Sequence, residues 1–331
     1  MTDEFPFLIA EIANCHGGES KYMWDILKKI VKTSADAIKF QIINADELLT
    51  PVHSRYDVFK SLEFSNSLWD EYVSFVKDSK KKVIFDIFGD KSLETADRLK
   101  PDFVKIHATD FVNIPFIKKV IKTSIPMFMG TGGATEEEID NIMKIVDNKK
   151  VCLQTGFQAY PTPIEDTNLE RIDYLKEKYN CCIGFADHTK GDDLFAMILP
   201  CLAVIKGANS VEKHVMLKDR NTKYDWEASI PVEKLTALRK NLLDSKLSLG
   251  QKNLNLTSNE LDYRNKVRKK IVPLKNYKKG DFIDFNDVVF LRGEETEGEK
   301  PLLISEYKNY EKKPLTRNIK KYSVLTEEMF S

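Results

Sequence analysis

Two histidines in this chain each close a short apolar run, and each stands beside an acid: Asp187 precedes His188 in CIGFADHT, and Glu212 lies two residues before His214 in SVEKHV. Neutral imidazole is a common ligand for divalent metals. A pair of such ligands on neighbouring strand ends leaves coordination positions for water and substrate, which suits Lewis-acid chemistry on a carbonyl. A plainer reading is also open: two unrelated histidines near buried strand ends, each satisfied by a local hydrogen bond.

The elements around them bear on that choice. Strand-like runs are predicted at Phe7–Ala13, Ala37–Ile43, Val83–Phe88, Phe103–Ile106, Pro126–Met129, Val151–Gln154, Cys182–Phe185 and Ser210–Lys213. A helical pattern follows each of them, at Tyr22–Val31, Leu68–Asp78, Ser92–Leu99, Ile114–Lys122, from Thr135, Asn168–Lys178, Asp192–Ile205 and Val232–Leu243. Thr135 followed by Glu138 reads as a capping box. Short buried strands alternating with helices predict a parallel sheet. Eight such units match a (β/α)8 TIM barrel, an α/β fold. A doubly wound open sheet is the other candidate, but no GxGxxG follows the first strand. Barrel enzymes place their catalytic groups at the C-terminal ends of the strands. His16, His107, His188 and His214, four of the five histidines, fall at or just after such ends. Scattered core histidines would not segregate in this way, which favours the metal or catalytic reading.

Composition excludes some classes. The 331 residues carry 51 basic and 51 acidic side chains, so no global charge favours nucleic acid or an acidic membrane surface. No apolar run approaches the roughly 18 residues of a membrane span, and the N-terminal stretch MTDEFPFLIAEIA does not read as a secretory signal. Cys15, Cys152, Cys181, Cys182 and Cys201 are odd in number and irregularly spaced, which points to reduced thiols in a cytoplasmic protein. The barrel is expected over 1–245, a polar linker over 246–262, and a small, mostly β domain over 263–331. The run Arg264–Lys279 holds eight basic residues and no acid, which reads as a solvated or anion-facing edge.

IAEIANCHGG at 9–18, DAIKFQ at 36–41, FVKIHATD at 103–110, GTGGATEEEID at 130–140, YPTPIEDTNL at 160–169, GFADHT at 184–189 and VEKHVMLKDR at 211–220 occur in this order. With KNYKKGDFIDFNDVVFLRG in the tail, the chain resembles the sialic acid synthase family over nearly its whole length. The tail resembles that family's SAF (antifreeze-like) domain. The resemblance implies condensation of phosphoenolpyruvate with the open-chain aldehyde of an N-acyl hexosamine, with release of phosphate by C–O cleavage. It further implies Mn2+ or Mg2+ held by His188 and His214, and a domain-swapped homodimer. Glu11 and Asp110 match the catalytic acids, Asp110 standing where the family often has Glu. Lys39 and Lys105 match lysines that hold phosphoenolpyruvate, and a lysine inside an apolar strand is not an ordinary surface side chain. Thr131, Gly132 and Gln158 also fall to phosphoenolpyruvate, and Gln41, Tyr160, Asp225 and Arg292 to the sugar. Ala108, Gly130 and Ala186 replace serines common in the family, so backbone amides of 130–133 are expected to cradle the phosphate. The acceptor is N-acetylmannosamine or a diacetamido-dideoxyhexose. Two other functions stay open: a catalytically silent sugar-binding homologue, and another metal-dependent aldol-type synthase that uses phosphoenolpyruvate.

Overall fold

The computed structural model describes residues 6–157, 159–219, 222–294 and 298–331. The chain divides into two compact units, Met1–Gly250 and Gln251–Ser331.

The first unit is a closed parallel barrel. Its strands are β1 (Phe7–Glu11), β2 (Ala37–Ile42), β3 (Lys82–Ile87), β4 (Phe103–Ile106), β5 (Met127–Gly130), β6 (Val151–Thr155), β7 (Cys182–Asp187) and β8 (Ser210–Met216). Each pairs in parallel with the next, and β8 returns to β1 to close the cylinder. A two-residue strand, β9 (Ile230–Pro231), adds to the outer edge of β8. The expected (β/α)8 barrel is thereby found, and the open sheet, the other candidate, is excluded. Strand ends shift by a residue or two from expectation, most for β8, which runs three residues further and takes His214 into the strand.

Side chains alternate between the two faces of a strand. One set, including Leu8, Ala10, Ile38, Phe40, Val83, Phe85, Val104 and Ile106, packs outward against the helices in the main core. The other set points inward. Near the strand starts it is apolar: Phe7, Ile9, Ala37, Ile84, Phe103, Phe128 and Cys152 form one buried cluster. Further along the same strands it turns polar. A β-carbon at Gly184 would lie 2.5 Å from Ser210 Oγ, so a larger residue there would have to turn that hydroxyl aside.

The linker is shorter than expected. The helix Leu235–Ser248 takes in 246–248, and a second helix, Ser258–Val267, takes in 258–262. Thr257 and Glu260 form a reciprocal capping box at the start of that second helix, a signal present in LTSNE. The second unit has its own core of Ile271, Tyr277, Ile283, Leu302, Tyr307, Leu315, Ile319 and Leu325. Its β pairing is sparse among the described residues: β10 (Lys270–Pro273) runs antiparallel to β11 (Val288–Leu291), and three isolated bridges complete it. All five cysteines are free thiols. No described helix is long and apolar enough to cross a membrane.

Candidate active site

The polar interior begins with one layer of four side chains from alternate strands, an arrangement typical of such barrels. Lys39 on β2, Lys105 on β4, Gln154 on β6 and Glu212 on β8 meet at the axis. Glu212 is the hub. Lys39 Nζ donates to its Oε1 at 2.8 Å, Lys105 Nζ to Oε1 and Oε2 at 2.9 and 3.1 Å, and Gln154 Nε2 to Oε2 at 3.0 Å. Burial pushes the Glu212 carboxyl up, but Lys105 and Lys39 outweigh it and hold the group below the usual carboxylate range. Burial also lowers Lys39, against the pull of Asp86 and Glu212.

The next level adds Glu11 from β1 and Asp86 from β3. Lys39 Nζ donates to Asp86 Oδ2 at 3.1 Å and pairs with Glu11 Oε2 at 2.6 Å, the latter without hydrogen-bond alignment. Glu11 Oε1 accepts the Ala13 N–H at 2.5 Å, which fixes the carboxylate at the end of β1. All of these side chains are buried. Lys39 is therefore committed to three acids, whereas among the described residues Lys105 makes its ion pair with Glu212 and feels Asp86 at longer range. Two lysines stand against three acids, a formal excess of one negative charge.

Above this cage lie the two histidines. His214 is in β8, beside Glu11 in the register of β1 and β8, and His188 directly follows β7. Their ring centroids are 5.0 Å apart. Both rings are buried, and His188 Nδ1, His188 Nε2 and His214 Nδ1 have no hydrogen-bond partner among the described residues. Burial pushes His188 down to about 3 and His214 well below the ordinary imidazole range. Both are therefore neutral near pH 7 and carry open lone pairs, the state in which imidazole binds a metal. The plainer reading, local satisfaction, describes other histidines instead. His16 Nδ1 accepts the Gly18 N–H at 3.0 Å, and His107 Nδ1 accepts the Thr109 N–H at 3.4 Å. Among the described residues no group of three or more His, Cys, Asp or Glu side chains converges on one point. A cation on this pair would draw its remaining ligands from water and substrate. Its two positive charges would also reverse the excess of acids below.

The rim completes the site. The Thr162 N–H donates to the His188 carbonyl at 2.9 Å and so ties the loop after β6 to the end of β7. Tyr160 in that loop sets its ring edge-to-face with His188 and His214, at 5.3 and 5.7 Å. Asp225, in the left-handed region at φ 59°, accepts the Asn14 N–H at 2.9 Å and so closes the β8 loop onto the β1 loop. Gln41 follows Lys39 by two residues on the inward face of β2. At the end of β5, both the amide and the hydroxyl of Thr131 donate to the Gln154 carbonyl, at 3.0 and 3.3 Å. The expected anion cradle is thus left to the amides of Gly132 and Gly133. A β-carbon at Gly132 would meet the Gly156 carbonyl oxygen at 2.5 Å, so this approach is reserved for glycine. At Gly130 a β-carbon would meet only ordinary contacts, 3.4 Å from Ala108 N and 3.7 Å from Lys105 Cε. Room therefore remains beside the Lys105 head.

Of the remaining expected residues, Asp110 lies on the barrel and feels the charge of Asp86. Asp110 sits half-buried on a short 3-10 turn after β4, accepting from Asn113 at 2.8 Å, and burial raises its pKa. Arg292 is exposed just past β11 in the second unit. Gln158 lies outside the described residues. Conversely, Asp86, Gln154 and the hub role of Glu212 were not foreseen. The signal for Asp86 was present: an acid inside the apolar run VIFDIF is as anomalous as a lysine inside AIKFQ.

The model of the NeuB family matches residues 26–254, most of the chain. This chain belongs to the NeuB family. Among its relatives, the pseudaminic acid synthase of Campylobacter jejuni is 28% identical over 88% of each chain. The N,N'-diacetyllegionaminic acid synthase of Legionella pneumophila is 26% identical over 86% of this chain and 85% of its own. The structure of the sialic acid synthetase of Leptospira borgpetersenii superposes with a TM-score of 0.73 at 26% identity, covering 80% of this chain and 93% of that one. In this NeuB chain the buried polar layers, the histidine pair and the glycine turn all open at the C-terminal ends of the barrel strands.

Proposed function

We propose that this NeuB chain is a nonulosonic acid synthase: it joins phosphoenolpyruvate to the open-chain aldehyde of an N-acyl hexosamine and releases phosphate. The observation that carries the reading is the pair of neutral, unpartnered imidazoles standing over buried lysines at the mouth of the barrel. A silent sugar-binding homologue has no use for such a pair, nor for ammonium groups at this depth.

His188 and His214 are the groups that would hold Mn2+ or Mg2+, and a divalent ion bound there supplies Lewis acidity to the aldehyde. The protein's own groups do the rest. Lys105, with the room beside Gly130 and the amides of Gly132 and Gly133, receives the phosphate end of phosphoenolpyruvate. C3 of the enol ether forms a bond to the aldehyde carbon, whose oxygen takes up a proton. Asp110, whose pKa burial raises, is the proposed donor. Water adds to C2 and loses a proton, for which Glu11, fixed at the end of β1, is the proposed acceptor. The bond from C2 to the phosphate-bearing oxygen then breaks, phosphate leaves with the electron pair, and the C2 hydroxyl loses its proton to give the ketone. Tyr160 and Asp225 line the approach of the sugar, and Gln41 lies deeper on the same side.

The resemblance to the sialic acid synthases adds a transferase with a SAF-type second unit and a homodimer in which Arg292 of one chain serves the partner's barrel. Mixing Glu11→Ala, Lys39→Ala chains with Arg292→Ala chains tests that arrangement. Recovered activity supports it, and no recovery despite proven subunit exchange rejects it. The function itself is tested by phosphate release from phosphoenolpyruvate with Mn2+ and a panel of N-acylated hexosamines, N-acetylmannosamine and diacetamido-dideoxyhexoses included. Release that needs one sugar and stops in excess chelator is expected. No release with any sugar, or full activity in chelator, contradicts the proposal.

A further inference from the structure

The strands that present His188 and His214 hold, on their other face, a buried ion pair that the reaction does not use. Asp187 and Lys213 are register partners on β7 and β8, each one residue before a histidine. Lys213 Nζ donates to Asp187 Oδ2 at 2.8 Å, and the two side chains are 0% and 1% exposed. The other carboxylate oxygen, Asp187 Oδ1, accepts the Thr189 N–H at 2.8 Å and also the Thr189 hydroxyl. Lys213 Nζ donates in addition to the Thr189 carbonyl at 3.3 Å. The residues on both sides of His188 are therefore tied to the residue that precedes His214.

A metal-ligating histidine is ordinarily oriented by an acceptor behind its ring, bonded to the nitrogen that does not bind the metal. His188 has none: both ring nitrogens lack a partner among the described residues. Its orientation has to come from the backbone and from packing. Nor does charge pairing by itself explain the ion pair, because a buried pair can often be replaced by well-packed apolar side chains of similar volume at no cost to the fold. What it does supply is a fixed distance between two neighbouring strands, at the level where the imidazoles sit 5.0 Å apart.

We propose that Asp187 and Lys213 are positioning residues: an outer-face clamp that sets the spacing and direction of the two imidazoles and thereby the affinity for a divalent cation. The inference rests on the metal reading of His188 and His214, and the test separates the two. Mn2+ binding to the full-length protein is measured by the loss of the free-ion electron paramagnetic resonance signal, with thermal unfolding of the metal-free protein alongside. The variants are the apolar double replacement Asp187→Leu/Lys213→Met, the charge-keeping Lys213→Arg, and His188→Ala as reference. Lys213→Arg should melt close to wild type and the double variant lower, because Asp187→Leu leaves the buried Thr189 N–H and hydroxyl without their acceptor. Both should still unfold cooperatively, yet bind Mn2+ about 10–100-fold more weakly, the range seen when groups behind metal ligands are removed. If the double variant does not fold, Lys213→Arg decides, since it keeps the charge and changes only reach and geometry. Clamp variants that bind Mn2+ as wild type does, while His188→Ala does not, overturn the clamp alone. Wild type that binds no Mn2+, or His188→Ala that binds as wild type, overturns the metal reading and the clamp with it.

Discussion

At the strand starts the barrel interior is filled by Phe7, Ile9, Ala37, Ile84, Phe103, Phe128 and Cys152, whereas closer to the strand ends it holds Glu11, Lys39, Asp86, Lys105, Gln154 and Glu212. The backbone is the same and so is the burial. The floor contributes hydrophobic transfer and dense packing. The upper layers contribute little net stability for their depth, because each charge must be desolvated before its partner restores the loss. The contrast teaches where this molecule keeps its stability and where it keeps its chemistry, and changes at one end should leave the other almost untouched.

The largest effect is expected at the top. His188→Ala or His214→Ala should lower kcat by roughly 10^4-fold, as Lewis-acid assistance is worth several kcal/mol and each 1.36 kcal/mol is tenfold in rate. Metal-free stability should hold or rise, because buried ring nitrogens without partners are removed. Steady-state kinetics with Mn2+ and melting curves of the metal-free variants check both halves. A large loss of stability would mean that the histidines belong to the core. At the floor, Phe128→Ala should cost about 3–5 kcal/mol of stability. Its Mn2+ affinity should stay at the wild-type level, read by denaturant unfolding and metal titration on the same preparation.

The lysines refine the picture. Lys105→Ala should raise the KM for phosphoenolpyruvate about 10–150-fold, the worth of one charge-assisted contact of about 1.5–3 kcal/mol, with the KM for the sugar changed much less. Lys39→Ala should be the less stable protein of the two, because it strands Glu11, Asp86 and part of Glu212. Equal stability of both variants would contradict the view of Lys39 as the central counter-charge. The smallest effect is expected from Gly130→Ser. A β-carbon at that position meets only ordinary contacts, and one added hydroxyl donor should lower the KM for phosphoenolpyruvate about fivefold, the worth of one neutral hydrogen bond. A raised KM would show that the phosphate already fills that space.

Much of this was legible in the sequence, for physical reasons. Short buried strands alternating with helices specify a parallel sheet, and eight such units match a barrel. His188 and His214 stand out because they end such strands, and Lys39 and Lys105 because a lone charge in an apolar strand demands a partner. The partners were harder to see. Which acid meets which lysine depends on how eight strands are staggered around the axis, and no local window of sequence contains that register. Glu212 stands two residues from His214, yet its contacts with Lys39, Lys105 and Gln154 span 173, 107 and 58 residues of chain. The separate fates of the histidines were likewise hidden, because only the local turns show that His16 and His107 are satisfied by neighbouring amides.

The central claim is that the polar end of the barrel takes phosphoenolpyruvate and a sugar aldehyde and breaks the C–O bond. It is tested most directly by one turnover of phosphoenolpyruvate carrying 18O in the oxygen that bridges C2 and phosphorus. With Mn2+ and the accepted hexosamine, the heavy oxygen should appear in the released phosphate, in amount equal to the new keto acid. Heavy oxygen retained in the keto acid, or phosphate released without any C–C bond formed, would contradict the account.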